Sequence, residues 1–207
     1  MRLYHFSLSS ASYRVRIALH LKGIEAELVS LRLRESEQRA PGYAAVNPQC
    51  LVPTLVLDDG TALTQSQAII EYLDEAHPEP PLLPREARAR AWVRAVAQSI
   101  ACDIHPLNNL RVLQYVERDL GQRPETVKAW YAHWVRLGFD ALERQLAEAP
   151  VVGRFCGGDA PGLADIFLVP QVRNARRYEV DLAAYPRIVA VDAACAELDA
   201  FRRAGQE

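Results

Sequence analysis

Between His77 and Pro84 the chain reads His77-Pro78-Glu79-Pro80-Pro81-Leu82-Leu83-Pro84, which places four of its thirteen prolines in one short stretch. Each proline removes a backbone donor and fixes φ, so neither a helix interior nor a central strand can pass through. The two flanks must therefore fold apart, and 207 residues suffice for two small domains, each with its own core. Domains are expected over 1–80 and 85–207.

Upstream of the prolines the pattern alternates. A strand is expected near residues 2–6, a helix near 11–22, a strand near 26–31, and then an irregular polar stretch holding Pro41 and Gly42. Short strands follow at 54–57 and 62–63 about the Asp58-Asp59-Gly60 turn, a strong hairpin signal, and a helix runs from about Gln65 to Glu75. The order βαβ, then hairpin, then helix describes a small sheet covered by helices. Downstream, residues 86–118, 124–148, 163–178 and 186–203 space their apolar side chains as helices do, Trp92, Val96 and Ile100 among them. The expected class is α+β, with an all-α second domain.

Lys and Arg total 24 against 26 acidic residues, so bulk attraction to nucleic acid or to an acidic membrane is not indicated, and charge recognition must be local. No apolar run approaches the ~20 residues that span a bilayer, and no basic-plus-apolar leader precedes the first strand; a cytoplasmic protein is expected. Cys50, Cys102, Cys156 and Cys195 are dispersed, with no C-x-x-C pair and no His at metal spacing. Neither a disulfide framework nor a metal site is expected; buried thiols are the simplest reading of all four, least securely for Cys50.

Several short pieces could build a site. Ser9-Ser10-Ala11-Ser12 opens the first helix, where unpaired N–H groups and the positive end of the dipole favour an anion such as a thiolate; an ordinary Ser N-cap is the plainer reading. No thiol of the chain stands there, so any sulfur must arrive on a small molecule. Val52-Pro53 precedes a strand, and the proline either starts it or forms a cis bond that exposes the Val52 backbone. Gln65-Ser66 begins the next helix, with Ser66 either a cap or a donor to a carboxylate. In the second domain Cys102-Asp103-Ile104-His105-Pro106-Leu107-Asn108-Asn109-Leu110-Arg111 is a polar patch at an expected proline kink, either a solvated face or the lining of a cleft. Arg173, Arg176 and Arg177 form a basic run that is solvent-facing unless one guanidinium turns inward to a carboxylate.

Together the segments SSASYRVRIAL, NPQCLVPTL, LTQSQAIIEYL, CDIHPLNNLRVL and LADIFLVPQVRNARRYEVDL resemble the glutathione transferase superfamily, specifically its zeta class, which includes glutathione-dependent maleylacetoacetate isomerases. The resemblance spans essentially the whole chain. It implies a thioredoxin-like βαβ-ββα domain followed by a helical domain, glutathione as cofactor, and a homodimer. It makes Ser9 the hydroxyl beside the glutathione sulfur, supported by Ser10, with Val52 before a cis Pro53 pairing with the cysteinyl backbone. Gln65 and Ser66 would hold the γ-glutamyl end, Gln38 would add a weaker contact, and His105, Asn109 and Arg111 fall where relatives contact glutathione or substrate. Arg177 matches an arginine that grips a substrate carboxylate.

Three positions depart from the pattern. Ala11 stands where zeta enzymes often carry Cys, Leu8 where many carry Arg, and Gly162 where Ser or Thr usually completes a capping box with Asp165, so some loss of helix stability is expected. The implied activity is cis–trans isomerisation of an unsaturated diketo dicarboxylic acid in aromatic amino-acid catabolism, with Ser9 a donor rather than a base. Isomerisation of maleylpyruvate, conjugation of glutathione to α-halo acids, and non-catalytic glutathione binding are the rival readings.

Overall fold

Leu3 and His5 of β1 (Arg2–His5) are buried while Arg2 faces water, the period-2 alternation of a strand covered on one face. The structure, a computed structural model, describes residues 1–151 and 153–207. β1 pairs in parallel with β2 (Glu27–Ser30) across the helix α1 (Ser10–Lys22), and antiparallel with β3 (Thr54–Val56), which forms a hairpin with β4 (Ala62–Thr64). The sheet order is β2-β1-β3-β4. The parallel pair needs a crossover helix and the antiparallel pair only a turn, so the βαβ-ββα order follows from the connections. Gly60 takes the positive φ that closes the hairpin, and Gly23 the one that ends α1. This is the thioredoxin-like arrangement expected from the sequence.

The stretch holding Pro41 and Gly42 is not irregular throughout: a six-residue helix, α2 (Pro41–Val46), forms there with Pro41 in its first turn, where a missing N–H costs nothing. α3 (Ser66–Ala76) covers the sheet with Ile69, Ile70 and Leu73. α1 is buried almost all round, from Ser10 through Leu19. A helix so enclosed must find partners for any charge it carries, and it carries Arg14 and Arg16. Lys22 at its end is likewise buried, donating to Asp74 at 2.5 Å and to the carbonyls of His77 and Pro80 at 2.7 and 2.6 Å, which ties down the start of the proline stretch. The bonds before Pro53 and Pro80 are cis.

The chain divides into a unit of residues 1–81 with 196–207 and a unit of residues 82–195. The end of the chain thus differs from the expected 85–207 domain. The helical stretch 186–203 is two helices, α8 (Pro186–Ala196) and α9 (Asp199–Gln206), and α9 docks on α1 through Phe201 and Ala204. Both halves are amphipathic, so apolar spacing alone runs straight through the break.

The second unit is helical. The expected helix 86–118 is interrupted: α4 (Ala87–Gln98) winds into a π-helical segment at Ser99–Ile104, a 3₁₀ turn at Pro106–Asn108, α5 (Leu110–Gln114) and a second π-helical segment at Tyr115–Asp119. Pro106 sits where the kink was expected. α6 (Pro124–Ala147) and α7 (Leu163–Arg177) follow, with Val96, Ile100, Val135, Phe139, Phe167 and Val172 in the core. Asp165 is buried and accepts from Cys156 N and Gly162 N, both at 2.9 Å, so the carboxylate half of the expected capping box is present. Cys156 and Cys195 are buried, and burial pushes both thiols up; Cys102, in contrast to the expectation, is exposed, and Cys50 is half-buried. No helix is long and apolar enough to cross a membrane among the described residues.

Candidate active site

Ser9 is the N-cap of α1: its backbone is extended and its Oγ accepts from Ser12 N at 3.2 Å. The cap and the thiolate readings are therefore compatible, because the cap uses a lone pair of Oγ and leaves the hydroxyl proton to donate. A hydroxyl that is already accepting is polarised as a donor. No acidic residue lies in the first turn of α1 to offset the dipole, and Ser10, its first residue, is buried. A helix N-terminus contributes about 1 kcal/mol to an adjacent anion, and a hydrogen bond to a charged partner about 2 kcal/mol. Together they lower a thiol pKa by roughly two units, enough to ionise it substantially near neutrality without a base.

Val52 is half-buried and lies two residues before the first paired residue of β3, so its backbone stands outside the sheet ladder. Its loop is clamped from within. Asn47, 1% exposed, donates to Leu51 O at 2.9 Å and Thr54 Oγ1 at 3.0 Å and accepts from Gln49 N; Tyr43 Oη donates to Leu51 O. Sequence reasoning missed both clamps, although an Asn-Pro pair before the strand signals side-chain control of a turn.

Gln65, not Ser66, occupies the N-cap of α3, with φ at +68° and no side-chain cap; its amide instead donates to Gln49 Oε1 at 3.0 Å. The leading N–H groups of α3 thus lack a side-chain cap. Ser66, 7% exposed, accepts from Arg14 Nη1 at 3.3 Å, and Arg14 is itself 1% exposed. A buried guanidinium behind an uncapped helix start makes a seat for a carboxylate. Arg14 was also missed, and its signal was a charge inside the apolar spacing of α1. Gln38, on a 3₁₀ turn at Glu37–Arg39, has a buried Oε1 without a hydrogen-bond partner among the described residues.

In the second unit His105 ends the first π-helical segment and Asn109 caps α5, its side chain accepting from Arg111 N at 3.2 Å. The stretch is fastened to α6, where Trp130 Nε1 donates to Leu107 O at 2.8 Å and Asn108 Nδ2 donates to Tyr131 O at 3.4 Å. Arg177 closes α7 and its charge acts on Tyr131, whose hydroxyl is pushed up chiefly by burial and by Tyr178 stacked 3.6 Å from it. Tyr131 is thus touched at its backbone carbonyl by Asn108 and at its hydroxyl by the Arg177 charge. Arg176 is engaged by Asp192 at 2.6 Å; Arg173, Arg176, Arg177 and Arg111 are exposed.

Within the first unit, then, Ser9 and Ser10 share one helix start, and Arg14 links that helix to the Gln65-Ser66 start. Gln38 and Val52 stand on separate loops. The hydroxyl donor at one helix start and the uncapped, arginine-backed start of another are each suited to an anion.

Two family models match: the glutathione S-transferase N-terminal domain over residues 8–76 and its C-terminal domain over 135–200. The chain is 51% identical over 205 residues to a maleylpyruvate isomerase of a Ralstonia species, covering 99% of this chain and 96% of that one. A holo structure of a maleylpyruvate isomerase, described as a bacterial zeta-class glutathione S-transferase, superimposes with a TM-score of 0.96 at 50% identity, over 99% of this chain and 96% of that one. A maleylacetoacetate isomerase from Methylobacterium extorquens AM1 with bound malonate and glutathione gives 0.96 at 40% identity, with the same coverage.

Proposed function

Because the chain belongs to the glutathione S-transferase family and groups there with the zeta class, we propose that it is a glutathione-dependent cis–trans isomerase of a maleylacetoacetate-type acid. One observation carries the reading: Ser9 caps α1 with a lone pair while its proton stays available at the positive end of that helix. Bound glutathione supplies the thiolate that adds to the cis double bond, allows rotation about the resulting single bond, and is regenerated on leaving. Ser9 donates to the sulfur and, with the α1 N-terminus and Ser10 beside it, holds it ionised. Val52 meets the cysteinyl backbone, the α3 start with Ser66 and Arg14 holds the γ-glutamyl carboxylate, and Gln65 and Gln38 add polar contacts. Arg177, with Arg111 and His105, binds the carboxylate or enolate charge of the substrate, and Asn109 contacts glutathione.

Isomerisation consumes no glutathione, whereas conjugation to α-halo acids depletes it stoichiometrically. Turnover of maleylacetoacetate, maleylpyruvate and dichloroacetate is therefore to be followed in parallel, with and without glutathione. The reading expects isomerisation that requires glutathione and leaves its concentration unchanged; activity in its absence would overturn it. The similarity to a maleylpyruvate isomerase at 51% identity favours maleylpyruvate as the second candidate substrate, and the kcat/KM ratio of the two decides. Free thiols throughout suit a cytoplasmic setting, and a homodimer is the assembly proposed.

A further inference from the structure

Arg16 lies in the middle of α1, 1% exposed, and its guanidinium reaches in two directions. On one side Nε donates to Ala204 O of α9 at 3.0 Å and stands 3.9 Å from the Glu207 carboxylate. On the other, Nη1 meets His5 Nδ1 at 3.2 Å and Nη2 donates to Ser7 O at 3.3 Å. An arginine has donors only, so Nδ1 accepts and the His5 proton sits on Nε2. Burial first and then the Arg16 charge lower the His5 pKa to about 4, in keeping with a neutral ring.

Ser7 belongs to the turn that delivers Ser9. Ser9 N donates to Phe6 O at 3.0 Å, which closes a four-residue turn over 6–9, and Phe6 N donates to Ser12 Oγ at 3.3 Å. Both contacts fix the ends of the turn. Its middle peptide, Ser7–Leu8, is the one that distinguishes type I from type II turns, and it can flip with little movement of the ends. Arg16 Nη2 holds the carbonyl of that peptide. Such a flip reorients Leu8 and with it the approach to Ser9, whose Oγ must keep both its cap and its donor direction.

We propose that Arg16 is a positioning residue for the glutathione thiolate. It locks the Ser7–Leu8 peptide, and with it the Ser9 hydroxyl, and through Ala204 it makes the seating of α9 a condition of that lock. The inference rests on the glutathione reading above. Arg16 also lines an open cavity of about 320 Å³ with His20, Arg203 and Glu207.

Tyr13 supplies the control. Its Oη donates to Phe201 O at 3.0 Å, a second buried tie between α1 and α9 that does not reach Ser7. The ultraviolet absorbance of bound glutathione thiolate is titrated on the full chain for wild type, Arg16→Met, Arg16→Lys and Tyr13→Phe, alongside melting. Arg16→Met is expected to raise the bound-thiol pKa by about one unit, a tenfold loss of thiolate below that pKa. Its kcat falls in proportion while KM for the keto acid holds. Arg16→Lys keeps the charge but cannot span Ser7 O and Ala204 O together; it carries the test if Arg16→Met does not fold, and its shift is expected midway. Tyr13→Phe is expected to melt lower with an unshifted titration. An unshifted titration in both Arg16 variants, or an equal shift in Tyr13→Phe, overturns the proposal while leaving the glutathione reading intact. Absence of thiolate absorbance in wild type removes that reading and this one together.

Discussion

The two units carry their proposed functional residues by opposite means. In the first, the groups proposed to face glutathione are backed by buried polar side chains: Arg14, Arg16 and Asn47 are enclosed, and each grips a turn or helix start that carries Ser9, Val52 or Ser66, with buried Thr54 accepting from Asn47. In the second, Arg111 and Arg177 are exposed, and His105 and Asn109 sit half-buried on a stretch whose winding changes from α to π to 3₁₀ and back. Stabilising a thiolate depends on donors that need not reorganise, which rewards burial. Gripping a carboxylate requires reach and charge, which long exposed side chains supply. On the proposed reading, a change of substrate is accommodated in the second unit at little cost to the fold, while the sulfur chemistry stays fixed in the first.

The sharpest way to break that contrast is at Ser9. Ser9→Ala removes the donor to the sulfur, and by analogy with other single-donor deletions a fall in kcat of about 10²–10³ is expected in single-turnover isomerisation at saturating glutathione. It also removes the α1 cap, for about 1 kcal/mol of stability, so melting is followed in parallel. An unchanged rate would remove Ser9 from the thiolate chemistry.

Next in size is a pH effect confined to the first unit. His5 is buried, and its pKa falls from 6.5 to about 4 through burial and the neighbouring Arg16 charge. The folded ring therefore stays neutral where the unfolded one binds a proton. Its contribution is fully present above about 6.5 and is lost as the pH falls toward 4, up to roughly 3 kcal/mol across that window. Denaturant unfolding at pH 7 and pH 4.5 measures it. His5→Gln should flatten the difference, and an identical pH slope in the variant would mean the loss arises elsewhere.

The sequence made the first unit legible because its signals are local: strand alternation, a Gly60 turn, a serine-rich helix start and a proline stretch each constrain their own neighbourhood. What it hid is long-range. Arg14 and Arg16 read as ordinary helix residues until Ser66, Ser7 and Ala204 are brought against them, and apolar spacing over 186–203 does not reveal that α9 leaves its neighbours to dock on α1. In the second unit the π-helical turns at 99–104 and 115–119 escaped for a related reason, since they preserve apolar spacing while shifting its phase. Pro106 marked only the place between them.

A substitution in the second unit should separate binding from sulfur chemistry. Arg177→Ala is expected to raise KM for the acidic substrate by roughly 10- to 100-fold, the worth of a lost charge-assisted contact of about 1.5–3 kcal/mol, with the bound-thiolate titration unmoved. Steady-state kinetics beside that titration gives both numbers. If KM and kcat both stay at wild-type values, Arg177 is not the carboxylate anchor; if the titration shifts, the division of labour between the units is wrong.

The smallest effect tests whether the second unit is as permissive in its core as on its surface. Family resemblance argues that Gly162→Ser should stabilise α7 by completing a capping box, for about 1 kcal/mol. The structure argues the reverse. Gly162 has an extended backbone that any residue can adopt, but a Cβ there would lie 2.7 Å from Leu82 O, and that carbonyl is held by Leu163 N at 2.8 Å. Backbone cannot yield as a side-chain tip can, so the substitution is expected to cost about 1–2 kcal/mol net and to lower Tm by several degrees. Bound-thiolate titration should be untouched, because the strain lies wholly within residues 82–195. A rise in Tm would show that the Leu82 carbonyl gives way, and that the core of the second unit yields as readily as its exposed arginines.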